Sequence, residues 1–361
     1  MISAKRIKIA LMHGAKINAG DFLIKNRSIE LLRYCYPQCE ITEVYRNENL
    51  ELHVDEINDQ DILIIAGGPG YQNRFYGDSE ISLHGDLNKI KVPIMMMGMG
   101  WWGLSGDPSI VYTMQFSEKM QSLLTRVSKD TNILGCRDFY SANVLRNNGF
   151  GSALMTGCPA WYDIGKVRQV SYTGKALTEV KKICISDCGN IENLDQTFQV
   201  AEFLRDFFPN AEIVYVCHRG IPEMEPSMES ILAGRGIRLV DISGSAEGFF
   251  VYDDCDLHVG FRVHAHIYAL SQRKLSVLIE EDSRGEGVND ALGLHHIRAH
   301  MLTRINDTWQ LQLQRNVCLE LEDYLLNLAA NRYVPIEGAF RMMNSYFDRM
   351  LDHVGSIQKY V

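Results

Sequence analysis

Short apolar runs separated by amphipathic stretches fill the first half of the chain. The segments 6–13 (RIKIALMH), 40–46 (EITEVYR) and 61–68 (DILIIAGG) read as strands, and 21–36 (DFLIKNRSIELLRYCY) reads as a helix between the first two. Apolar runs at 92–98, 131–136 and 152–157 extend the series, with a helix over 139–149. Strands that are apolar on both faces and alternate with helices predict a parallel sheet covered on both sides. After a polar connector at 163–180 the pattern restarts, with strands at 181–187, 212–218, 236–242, 256–262 and 275–281 and a helix over 194–208. Two long amphipathic stretches, 311–332 and 337–354, are predicted as C-terminal helices. The expected fold class is α/β: two doubly wound Rossmann-type domains, 1–170 and 171–310, facing a cleft, with helices over 311–361.

Composition narrows the function classes without altering that architecture. A length of 361 residues suits two domains of ordinary size, and 46% hydrophobic with 22% charged residues is the balance of a soluble globular protein. The net charge of -9 lacks the cationic footprint that nucleic acids require, so no nucleic-acid partner is expected. The longest apolar run, PIMMMGMGWWGL (93–104), is too short to cross a bilayer and contains glycines. No membrane span is expected, and peripheral membrane contact stays open. The opening MISAKRIKIALMHG makes a poor signal peptide and a good first strand, so a cytoplasmic location is expected. Nine scattered cysteines suit reduced thiols; the pairs Cys35/Cys39 and Cys184/Cys188 lack a second pair at zinc-finger spacing, and no metal is expected.

In open α/β sheets ligands gather beyond the carboxyl ends of the strands, so the loops there hold the candidates. HGAKINAGDFLI (13–24) supplies Asn18, Gly20 and Asp21, and Asp21 either caps the helix or touches a ligand. AGGPGYQNRFYG (66–77) has Gly67 and Gly68 for close backbone approach, but it is neither a Walker loop nor G-x-G-x-x-G. In MGMGWWGLSGD (97–107), Trp101 and Trp102 are read as packing residues ahead of stacking on a sugar or base. Arg137 stands at a strand-to-helix junction, where it can grip a phosphate or carboxylate or else pair internally with Asp138. CHRG (217–220) is a strand-end pair of cations without a catalytic spacing.

DLHVGFR running into VHAHIYALSQ places Gly260, Arg262, Val263 and His264 at a second strand-to-helix turn, where free amides, a helix dipole and a guanidinium favour an anion. His266 lies about 200° further round the helix and is read, like His258, as a packing histidine. The run Glu280, Glu281, Asp282 reads mostly as a solvated turn, with Arg284 kept as a cleft candidate. Neither G-x-S-x-G nor H-E-x-x-H is present.

The order of NAGDFLI, AGGPG, CRDFYSANVLRNNGF, MTGCPAWYD and GFRVHAHIYAL with LSVLIEEDSR, over 13–296, resembles the polysaccharide pyruvyl transferase family. The resemblance implies a GT-B-like pair of domains. It also implies transfer of a pyruvyl group from phosphoenolpyruvate to two hydroxyls of a sugar as a ketal, in the biosynthesis of polysaccharides or cell-surface glycans. The acceptor would be a sugar, a nucleotide sugar or a lipid-linked glycan, and no cofactor is needed. Arg137 matches a substrate-site arginine of the family, and Arg262, Val263 and His264 match its Arg-Leu-His triplet with valine for leucine. Cys158 stands where the family commonly has aspartate. His264 would protonate the methylene carbon of the donor while arginines hold its anionic groups. A nucleotide-sugar glycosyltransferase, or a non-catalytic homologue that binds a glycan or phosphorylated ligand, would share this architecture.

Overall fold

A computed structural model describes residues 6–76, 83–103, 110–220, 228–305 and 308–361. Parts of the segments read above, residues 1–5, 77 and 104–107, lie outside these.

The first sheet is parallel throughout and has the order β2-β1-β3-β4-β5-β6. Its strands are β1 (Lys8–His13), β2 (Glu40–Tyr45), β3 (Ile62–Ala66), β4 (Ile94–Met99), β5 (Leu134–Cys136) and β6 (Ala153–Met155). The central strands β3 (ILIIA) and β4 (IMMMGM) are buried at every position, as helices on both faces require, whereas the edge strand β2 (EITEVY) is mostly half-buried. The second sheet, also parallel, runs β12-β11-β10-β7-β8-β9. It contains β7 (Lys182–Ser186), β8 (Glu212–Cys217), β9 (Arg238–Asp241), β10 (Leu257–Gly260), β11 (Leu275–Glu280) and β12 (Ile297–Arg298). This is the predicted doubly wound pair.

Each order contains one point where the chain reverses its direction of travel across the sheet. In the first sheet it lies between β1 and β3, and in the second between β7 and β10. Connections leave such a pair of strands on opposite sides and open a crevice at their carboxyl ends. The two crevices face each other. Ala19 N–H donates to the His218 carbonyl (2.9 Å) on one side of the cleft. On the other, Gly103 N–H donates to Ser283 Oγ (2.8 Å) and Ser283 N–H to the Gly103 carbonyl (3.2 Å).

The C-terminal region departs from expectation at one place. Residues 311–316 do not open a helix: β13 (His300–Ile305) and β14 (Thr308–Leu313) form an antiparallel hairpin, and the helix starts at Val317. TWQLQL alternates polar and apolar with a period of two, the signature of a half-buried strand, and it abuts the helix without glycine or proline to mark the join. The last helix, Val334–Gly355, returns to the first domain, where His353 Nε2 meets the Met96 carbonyl at 3.0 Å and Tyr36 Oη donates to the Val354 carbonyl at 3.0 Å. Among the described residues no helix is long and apolar enough to cross a membrane.

Candidate active site

Between the two crevices lies a cavity of about 330 Å³. Asn18, Asp21, Gly68, Arg137, Arg262, His264 and Arg284 all line it, and a recess of about 30 Å³ beneath adds Val263 and Glu281. Residues far apart in sequence thus share one space. Gly20 and Gly67 stand behind the wall. A Cβ on Gly20 would lie 2.1 Å from His264 Nδ1, so only glycine lets the first helical turn of domain one approach that ring. Gly67, at φ +54°, packs on Ile24, where a Cβ would lie 2.4 Å from Cγ2.

The helix Ala19–Cys35 is capped by Asn18, not Asp21: Asn18 Oδ1 accepts from Gly20 N–H at 3.2 Å. Asp21 sits in the first turn, accepts from Asn18 Nδ2 (3.2 Å) and faces the cavity. Burial raises its carboxyl above the usual range, against the pull of Arg46 and Arg219.

β10 ends at Gly260, where a Cβ would lie 2.3 Å from Ser186 Oγ, so glycine is needed for the close pass beside β7. Arg262 is the N-cap residue of the helix Val263–Ser271, and its amide donates to Ser186 Oγ (3.1 Å). Its guanidinium spans the reversal point: Nε and Nη2 grip the two oxygens of Asp187, at 2.7 and 2.6 Å. Burial works against the charge, but Asp187 outweighs it and Arg262 stays cationic.

Arg284 and Arg137 are built in the same way. Arg284 Nη2 binds Asp282 Oδ2 at 2.5 Å and its Nε lies 2.9 and 3.0 Å from the two oxygens; Arg137 Nε binds Asp138 Oδ2 at 2.9 Å and its Nη2 the Trp101 carbonyl at 3.0 Å. Each aspartate fixes one edge of a fork. Nη1 of all three arginines donates to nothing among the described residues. The internal pair weighed for Arg137 therefore exists, and it coexists with a place in the cavity wall.

His264, the second residue of its helix, is half-buried, and burial, then Arg284 and Arg137, holds its pKa well below the ordinary value. The imidazole is neutral in the empty cleft. His266 points into the core at 1% exposure and shares Ser276 Oγ with His258, both at 2.7 Å.

The acidic run is not a solvated turn. Glu280, Glu281 and Asp282 are only 0, 7 and 6% exposed. Each has a partner outside the run: Glu280 takes Asn289 Nδ2 (2.7 Å), Glu281 the amides of Gly189 and Asn190, and Asp282 the Trp102 Nε1–H (3.1 Å) besides Arg284. Burial pushes the Glu281 carboxyl up to about 7, opposed by those amides and by Arg262. Burial also raises Asp282, but Arg284 outweighs it and the carboxyl stays below its usual range.

Trp102 therefore lines the cavity, while Trp101 is core. Arg219 of the CHRG stretch also lines it. Cys158 is fully buried, with its thiol pushed up to about 11 by burial, and lies in the core rather than the wall. Sequence reading missed Arg46, Gln72 and Asp187. Arg46 and Asp187 directly follow β2 and β7, so applying the strand-end rule to every strand would have found both. Among the described residues no group of three His, Cys, Asp or Glu side chains is placed to hold a metal.

Comparison with known structures places the fold. Staphylococcus aureus MnaA bound to UDP superposes with a TM-score of 0.59 at 12% identity, covering 98% of each chain. UDP-GlcNAc 2-epimerase from Neisseria meningitidis, bound to UDP-GlcNAc, gives 0.56 at 11% identity, covering 96% of this chain and 100% of that one. At such identities the likeness is one of GT-B-like architecture alone. No curated protein matches the chain by sequence. The sequence pattern of one family, described as polysaccharide pyruvyl transferase, does match, over residues 18–283. That span runs from Asn18 through β11 and holds every arginine of the wall except Arg284, so the chain, a transferase, belongs to the polysaccharide pyruvyl transferase family.

Proposed function

We propose that the protein moves the pyruvyl group of phosphoenolpyruvate onto two hydroxyls of a sugar, forming a cyclic ketal. One observation carries the reading: Arg137, Arg262 and Arg284, each oriented by its own aspartate, surround His264 with Nη1 groups left over. Phosphoenolpyruvate carries a phosphate and a carboxylate on adjacent positions, and planar forks match both.

The charge balance gives His264 its role. Burial and then the three guanidiniums keep the imidazole neutral without donor; an anionic donor offsets the guanidiniums and raises its proton affinity. The protonated ring delivers its proton to the methylene carbon, and the double-bond electrons form that C–H bond. The adjacent carbon becomes oxocarbenium-like and accepts a sugar hydroxyl, which releases its proton. The C–O bond to phosphate then breaks, the oxygen leaving with the electron pair under the arginines. The second hydroxyl adds to the same carbon, closes the ketal and releases its proton. Of the two hydroxyl protons, one restores His264 and one leaves with phosphate.

Asp21 lines the cavity with a carboxyl raised by burial, and in this reading it relays one of those two protons. The donor is a cytosolic metabolite, which fits a cytoplasmic enzyme. The test is phosphate release from phosphoenolpyruvate against a panel of sugars, nucleotide sugars and lipid-linked glycans, with mass spectrometry of the products. Phosphate release only with an acceptor, and a product bearing a pyruvate ketal, is expected. Consumption of a nucleotide sugar without use of phosphoenolpyruvate would overturn the reading.

A further inference from the structure

Arg46 is the first residue after β2, and its amide donates to the His13 carbonyl at 2.9 Å. Its side chain then crosses the end of β1 toward the reversal point of the first sheet. A Cβ on Gly14 would lie 2.5 Å from Nη2 and one on Gly68 2.5 Å from Nη1, so these two glycines form a seat for the guanidinium. Arg46 is 8% exposed and lines the cavity.

This arginine differs from Arg137, Arg262 and Arg284. No ion pair holds it among the described residues, and its buried Nε has no hydrogen-bond partner. Its contact to the Gly67 carbonyl is long, at 3.5 Å. Asp21, which faces the same cavity, bonds to Asn18 instead. A buried guanidinium without a carboxylate partner is strongly unfavourable, and an anion arriving from outside removes the penalty.

Arg46 lines the larger cavity but not the recess that Arg137, Arg262, His264 and Arg284 share. Gly100 N–H donates to the Gly68 carbonyl (2.8 Å), and a Cβ on Gly100 would lie 2.3 Å from Arg137 Cζ. The guanidiniums of Arg46 and Arg137 therefore reach over the ends of the adjacent strands β3 and β4, although the two residues follow β2 and β5. The two charged groups of the donor are matched by the three arginines around His264. Arg46 lies instead in the part of the cavity wall that also holds Asp21 and Gln72, groups suited to sugar hydroxyls.

We infer that Arg46, seated on Gly14 and Gly68, binds a phosphate or carboxylate carried by the acceptor, so that the acceptor is an anionic sugar. The inference rests on the donor reading above, and its test is built to fail separately. Calorimetry on the full chain saturated with phosphoenolpyruvate would use glucose 1-phosphate, glucuronate and glucose as probes. At least one charged probe should bind about tenfold or more tighter than glucose, and which of the two does so identifies phosphate or carboxylate. Arg46→Met should reduce that probe to the level of glucose while leaving phosphoenolpyruvate affinity within about twofold. Thermal melting of the empty variant gives a second readout. Removing a buried charge that no carboxylate bonds should leave the melting temperature equal or higher, whereas a structural guanidinium would be missed and the temperature would fall. Charged probes no tighter than glucose, a lower melting temperature, or an equal loss of phosphoenolpyruvate binding would each overturn the inference. If phosphoenolpyruvate itself does not bind, the donor reading falls alone, and the same probes titrated into the empty protein still decide whether Arg46 holds an anion.

Discussion

The C-terminal wall of the cleft takes Arg262, Val263 and His264 from one turn, with Arg284 one strand away, whereas the N-terminal wall gathers Asn18, Arg46 and Arg137 from beyond β1, β2 and β5. The sheet orders explain part of this difference. In the second sheet the strands flanking the reversal, β7 and β10, themselves supply the paired Asp187 and Arg262. In the first, the crevice between β1 and β3 is floored by glycines, and cations reach it from farther strands. A compact turn writes its chemistry into consecutive residues; a floor of glycines lets chemistry be imported and leaves only a faint trace in the sequence.

Breaking the C-terminal pair should have the largest effect. Arg262→Ala leaves Asp187 buried without a counter-charge, and chemical denaturation should show a loss of about 3–5 kcal/mol. Replacing both, Arg262→Met with Asp187→Leu, should restore most of the stability without restoring phosphoenolpyruvate affinity. If the double variant binds the donor like the original, Arg262 has no place in the donor site.

Next comes the division between the two histidines. His264→Ala should lower turnover by about 100-fold with donor affinity within a few-fold, because proton transfer and not binding is removed. His266→Ala should reduce stability and spare turnover, since that ring serves the buried Ser276 network. Equal turnover losses in the two folded variants would end the distinction.

The N-terminal wall is sharpened by Gly20→Ala. The added methyl lands against His264 Nδ1 and displaces the ring, so turnover should fall by about tenfold from misplacement alone, with the fold retained by circular dichroism. Unchanged turnover would show that the two walls do not meet at this ring during catalysis.

The smallest effect is on pH. Burial lowers His13 to about 4 and His266 to about 3, below the ordinary 6.5 of the unfolded chain. Below pH 6.5 the unfolded state binds more protons, so stability should fall on acidification, by about 1.4 kcal/mol per such histidine at one pH unit below that value. Glu281, raised to about 7 from 4.5, acts in the opposite direction between those values and makes the loss partial. Denaturant melts at about pH 7.5 and 5.5 check the sign; a gain of stability at the lower pH would contradict it.

What could be read in the sequence follows from how local each signal is. Continuous apolar strands such as ILIIA and IMMMGM declare a parallel sheet wherever they occur, and the turn from β10 into its helix holds Gly260, Arg262 and His264 within five residues. Asn18 and Asp21 both suit a cap, and only the position of the first helical turn chooses between them. Glu281 and Asp282 look solvated because the partners that bury them, Gly189 and Trp102, are 92 and 180 residues away. Arg46 ends an edge strand whose other residues are ordinary; nothing in its neighbours says that it bends back over Gly14 and Gly68.

Proton uptake on donor binding reads the exchange of charge between the arginines, His264 and the donor. Phosphoenolpyruvate is titrated calorimetrically at about pH 7 in buffers of different ionisation enthalpy, into the original protein and into His264→Ala. Both should bind with similar affinity, and the original should take up more protons, by as much as about one, as its neutral imidazole becomes the acid. Equal proton uptake by the two proteins, or no binding of phosphoenolpyruvate to either, would contradict it.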